Sequence, residues 1–229
     1  MIHFWSLCID NAIASESKPE PVRCLEQAFR ETDDALRRTC HAVGSTTSST
    51  AVLYCEEGSP ATPLIAVTTL GDSKIMVIRP SEETIVYSSR EQWAYFNCPI
   101  QLGTGNVPRD AREARLDIVE LRPNDIVLAL SDGVTDNLWQ HEILEIVMEA
   151  LQKHEAERAT SELTSADDSL VYAARRLLAV ARSIALDPEA DSPFMEGMLA
   201  SGKLWQGGKF DDISVVIARC ESLGNQKDE

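Results

Sequence analysis

Three acidic residues stand at the ends of apolar, strand-like runs, each beside a small or turn-forming neighbour: Asp72 in LGDSKI, Asp132 in LALSDGV and Asp211 in KFDDISVVI. Carboxylates at strand ends are held rigidly and close to solvent, so several of them can converge on one cation. With no His or Cys beside them, such hard oxygen donors favour Mg²⁺ or Mn²⁺ over zinc. Taken singly, each acid also has a plainer reading. Gly71-Asp72-Ser73 has the composition of a hairpin turn, and Asp132 stands where it can cap a helix. Asp211-Asp212 are adjacent acids that repel one another unless a cation, a donor or solvent intervenes.

The elements that must position these acids are legible as short β-rich runs at 50–55, 63–70, 74–78 and 84–88, separated by Gly, Pro, Ser and Asp. They read as an antiparallel meander, with the Gly-Asp-Ser turn closing a hairpin between the second and third runs. A long irregular stretch from about Glu91 to Arg115 follows, of the kind that often carries function. Two further strands, 116–121 and 126–130, are joined by Pro123-Asn124-Asp125. Behind Ser131-Asp132-Gly133 come helical patterns at 138–154 and 168–186, and a last apolar strand at 213–218. An earlier amphipathic helix is expected from Pro21 to about Cys40. Strands first, then helices, then a returning strand is an α+β order and argues against a parallel βαβ sheet.

Apolar residues at 44 % and charged residues at 25 % exclude collagenous and disordered classes, and no composition shift divides the 229 residues, so a single domain over 1–229 is expected. Lys plus Arg number 21 against 37 Asp plus Glu, a net charge of −16 that repels nucleic-acid phosphates and anionic membranes. Any phosphate chemistry then needs a cation to intervene. No apolar run is long enough to span a bilayer. Six scattered cysteines without a CxxC pair suit reduced thiols in an intracellular compartment.

It is the ordered set of motifs that identifies a family. GSTTSSTAVL, LGDSKIMVIR, YFNCPIQLG, NDIVLALSDGVTDNL and GGKFDDISVVIA, from about Val43 to Arg219, closely resemble the metal-dependent protein phosphatases of type 2C. The YFNCPIQLG segment resembles the branch whose members are commonly mitochondrial. This resemblance implies an antiparallel β-sandwich flanked by helices. It also implies two Mg²⁺ or Mn²⁺ ions, and hydrolysis of phosphoserine or phosphothreonine in a phosphoprotein by a metal-activated water. Asp132 and Asp211 are then the catalytic metal ligands, and Asp72 helps to hold an additional, weaker metal. Gly133 is expected to let the backbone turn so that Asp132 faces the cleft, and Asn137 to serve only at a helix start. Members of the family normally carry Asp-Gly-x-Gly-Gly on their first strand, and the sequence has no such motif. The expectation is a fold lacking those N-terminal strands, with a catalytically impaired, phosphatase-like binding module or a truncated isoform as the alternative.

Overall fold

The computed structural model describes residues 44–56, 62–103, 114–160 and 166–221, together with positions 27, 28, 30–32, 34, 35 and 38. Those last positions are helical, where the early amphipathic helix is expected; the rest of that segment, and 104–113 of the long loop, lie outside the described residues. The chain divides into two compact units, Met1–Ser73 with Arg90–Glu120 and Lys74–Ser89 with Leu121–Glu229.

The first unit holds β1 (Ser45–Thr46), β2 (Ser48–Glu56), β3 (Thr62–Leu70), β6 (Trp93–Tyr95), β7 (Cys98–Pro99), β8 (Leu102–Gly103) and β9 (Arg115–Glu120). Its main sheet has the order β2-β3-β9, and β1 pairs with β8 and β6 with β7. The expected irregular stretch after Glu91 thus contains three very short strands. Trp93 and Phe96 pack edge to face there, with ring centroids 5.3 Å apart.

The second unit holds β4 (Lys74–Arg79), β5 (Thr84–Ser88), β10 (Ile126–Leu130) and β11 (Val215–Arg219) in a sheet of order β11-β10-β4-β5. Its helices are α1 (Asp132–Thr135), α2 (Gln140–Thr160), α3 (Ala166–Ala185) and α4 (Pro193–Ala200). Every strand pairing among the described residues is antiparallel, so the architecture is α+β, as expected.

One expectation about connectivity fails. Both edges of β3 are taken, by β2 and β9, so β4 cannot pair with it, and the Gly71-Asp72-Ser73 turn leads into a different sheet. Its backbone is tied instead to Gln92, whose Oε1 accepts from Gly71 N (3.0 Å) and whose N–H donates to Gly71 O (2.8 Å). The Pro123-Asn124-Asp125 turn joins β9 to β10 as expected, and these two strands belong to different sheets.

The core of the second unit follows from two periodicities. Ile126, Leu128 and Leu130 alternate along β10 and bury one face. Ile143, Val147 and Leu151 on α2, with Ala173, Leu177 and Ala181 on α3, recur every four residues and bury one stripe of each helix. Val134 and Leu138 join the same cluster, which brings the segment after β10 down onto the core. Each fully buried Leu or Ile contributes roughly 1.5–3 kcal/mol, so the stretch immediately after Leu130 is fixed by packing before any polar contact is counted. The short helix α4, which has no counterpart among the sequence expectations, begins at Pro193; its N-cap Ser192 accepts from Met195 N at 3.1 Å.

Candidate metal centre

Ser131 follows β10 directly and Asp132 opens α1. Ser131, not Asp132, takes the N-cap position of that helix, which leaves the Asp132 carboxylate free of a capping role. One turn later comes Asp136, and residues four apart on a helical turn share a face.

Asp211 arrives from the other side on a segment without regular secondary structure that precedes β11 by several residues. This segment is fastened to the β10–α1 junction by the side chain of Ser131. Its Oγ donates to Asp212 O (2.9 Å) and accepts from Ser214 N (2.9 Å), while Ser131 N donates to Ser214 O (3.1 Å). Asn137 makes the second fastening. Buried, it donates through Nδ2 to Gly133 O and to Lys209 O (both 2.9 Å), and its Oδ1 accepts from Lys209 N (2.9 Å). Asn137 is therefore not a helix-start residue as expected, but a clasp that holds two chain segments in register.

Gly133 also acts differently from the expectation. A Cβ there would lie 2.4 Å from Asp212 O and 3.2 Å from Ile213 Cγ1, so glycine is required by the close approach of the 211–213 segment rather than by a turn. Gly207 answers a genuine conformational demand, with φ at +85° and the backbone of Pro188 within 2.7 Å of where a Cβ would sit. Gly133→Ala is expected to cost about 1–3 kcal/mol by forcing the two segments apart, and to weaken divalent-ion binding at the same time. Urea unfolding read beside a Mn²⁺ titration checks this, and a wild-type midpoint in the variant would refute it.

These fastenings bring Asp132, Asp136 and Asp211 together, with one carboxylate oxygen from each lying within 4.8 Å of the others. Lys209 reaches into the group. Its Nζ lies 3.1 Å from Asp132 Oδ2, 2.6 Å from Asp136 Oδ2 and 3.1 Å from Asp211 Oδ2. Burial alone would lower the pKa of this ammonium, but Asp136, Asp132 and Asp211 outweigh that and hold it above the ordinary lysine value. Asp211 also accepts from Asp212 N at 2.8 Å, so its neighbour supplies a donor.

Of the three acids singled out in the sequence, Asp132 and Asp211 are thus brought together in the second unit. Asp72 is buried in the first unit, at the turn after β3. Asp136 and Lys209 are the members that sequence reasoning missed. As a donor set, three carboxylates with partial solvent access fit a hard dication such as Mg²⁺ or Mn²⁺.

Comparison with known proteins bears on family and fold. The chain is 30 % identical over 170 residues to "Probable protein phosphatase 2C 26" of Arabidopsis thaliana, covering 69 % of this chain and 51 % of that protein. It is 30 % identical over 205 residues to "Protein phosphatase PTC7 homolog" of Xenopus laevis, covering 86 % and 62 %. No family model matches the chain. Among solved structures, the photosystem II phosphatase PBCP superposes with a TM-score of 0.68 at 24 % identity, covering 96 % of this chain and 79 % of that one. The catalytic domain of the serine/threonine protein phosphatase PstP, in complex with two manganese ions, gives 0.53 at 14 % identity, covering 96 % and 80 %. Both likenesses concern the fold. By these likenesses the chain is a homologue of proteins named type 2C protein phosphatases. It spans about half the length of the first curated relatives it matches, 51 % and 53 %. Among the described residues, no helix is long and apolar enough to cross a membrane.

Proposed function

We propose that the chain forms one phosphatase-type domain that hydrolyses phosphoserine and phosphothreonine in proteins, using two Mg²⁺ or Mn²⁺ ions. The observation that carries this reading is the convergence of Asp132, Asp136 and Asp211 on one point, on segments clasped together by Ser131 and Asn137. A dication bound there lowers the pKa of a water and neutralises phosphoryl oxygens. Asp132 and Asp211 hold it, Asp136 adds a third oxygen donor, and Asp72 serves an additional, weaker ion. Ser131, Gly133 and Asn137 position those carboxylates without touching the ion. The charge of −16 makes such a cation necessary for any anionic substrate and disfavours nucleic acid as a partner. The YFNCPIQLG segment and the similarity to the PTC7 homolog support a mitochondrial setting.

The test is phosphate release from a phosphothreonine peptide by the purified chain across Mn²⁺ and Mg²⁺ titrations, with folding verified by circular dichroism. Turnover that rises with metal and vanishes on chelation is expected. A folded chain that binds Mn²⁺ and releases no phosphate at any concentration would overturn the catalytic reading.

A further inference from the structure

We propose that Lys209 is the resident counter-cation of the carboxylate cluster, and that a divalent ion enters by exchange with its ammonium group. This rests on the metal-holding role proposed above for Asp132, Asp136 and Asp211. Nζ contacts one oxygen of each carboxylate at 2.6–3.1 Å. A magnesium-sized ion needs such oxygens at about 2.0–2.1 Å. The two cations would then lie almost in contact, at a separation where like charges repel by several kcal/mol even at an effective dielectric of about 20. Occupancy by the ammonium and by the dication is therefore mutually exclusive.

Lys209 is not a surface lysine that happens to point inward. Its side chain is only 16 % exposed, and its backbone N–H and C=O are both bonded to the buried Asn137 amide. Its Nζ lies 5.1 Å from the centroid of the Phe194 ring, which is itself braced edge-on by Trp205 at 5.1 Å. Lys209 and Asp211 are two apart in the chain, and their side chains meet, with Nζ 3.1 Å from Asp211 Oδ2. The placement has a clear physical function. Three carboxylates this close repel one another, and a tethered monovalent charge holds the site together until a dication, with twice the charge, takes its place. The consequence is an affinity for divalent ions lower than the three carboxylates alone would give.

Isothermal titration with Mn²⁺ on Lys209→Met, which is one atom shorter, keeps an unbranched side chain and removes the charge, tests the exchange. Binding about tenfold tighter than wild type is expected, equivalent to about 1.4 kcal/mol; equal or weaker binding overturns the inference. Asp211→Asn in the wild-type background is the control for location. If it abolishes binding while Lys209→Met binds no tighter than wild type, the exchange falls and the metal-holding reading stands. If Asp211→Asn binds Mn²⁺ as wild type does, both fall. Should Lys209→Met not fold without metal, the wild-type chain still decides. Acetic anhydride labelling, read by peptide mass spectrometry, is expected to modify Lys209 several-fold faster at saturating Mn²⁺ than without metal, and a rate unchanged by bound metal refutes the exchange.

Discussion

Asp211→Asn is expected to lower metal-dependent phosphate release by at least about two orders of magnitude while leaving the fold almost untouched. The asparagine retains an Oδ1 that can accept from Asp212 N, as Asp211 does at 2.8 Å. Ser131 keeps its grip on Asp212 O and Ser214 N, and Lys209 keeps Asp132 and Asp136. Only a negative charge on a partly exposed side chain is lost, so stability should move by no more than about 1 kcal/mol. The effect on rate is expected to be larger because the role proposed for Asp211 is that of a metal ligand. Residues that merely orient a ligand typically cost 10–100-fold in affinity or activity when changed, and loss of the donor itself should exceed that. The measurement is kcat/KM on a phosphothreonine peptide at saturating Mn²⁺, beside a urea midpoint. Partial recovery at higher Mn²⁺ is expected as well, since a weakened site is filled by mass action. A variant within threefold of wild type would remove Asp211 from the ligand set.

The main strands were legible because their apolar content is unambiguous: β10 at 126–130 and β5 at 84–88 have the bounds that the sequence suggests. Which strand lies beside which was not legible. Turn composition at Gly71-Asp72-Ser73 describes how the chain reverses, but pairing depends on which edges are free, and β3 has none left after β2 and β9. Strands of two or three residues such as β6, β7 and β8 are too short to show a period at all. In the site, Asp132 and Asp211 announced themselves as acids beside apolar runs. Asp136 did not, although its spacing of four from Asp132 across a helical turn was an available signal. Lys209 was hidden because an irregular segment carries no period from which its contact with Asp132, Asp136 and Asp211 could be read. Gly133 was singled out correctly but for the wrong cause, because a close approach by Asp212 and Ile213, about 80 positions away in the chain, cannot be read from local sequence.

Asp125→Ala should be the most destabilising of these changes, at about 3 kcal/mol, although Asp125 lies outside the cluster. Asp125 precedes β10 and Arg79 ends β4, and the two strands pair with Ile126 opposite Ile78. The carboxylate accepts from Arg79 Nε at 3.0 Å and Nη2 at 2.8 Å, and from Arg122 N at 2.8 Å. The side chains are only 10 % and 1 % exposed, so water cannot replace what alanine removes, and breaking such a pair typically costs 3–5 kcal/mol. A double replacement, Arg79→Met with Asp125→Leu, should recover most of the loss, because it removes both charges instead of stranding one. That contrast separates a buried ion pair from simple packing. The pair fixes the start of β10, and the register it sets carries through Leu130 to Ser131 and Asp132. Divalent-ion affinity should therefore fall in Asp125→Ala and return in the double variant, with urea midpoints and Mn²⁺ titrations as the readouts. A single variant as stable as wild type would show that β10 is held by its apolar face alone, and that the carboxylate cluster owes nothing to the far end of the strand.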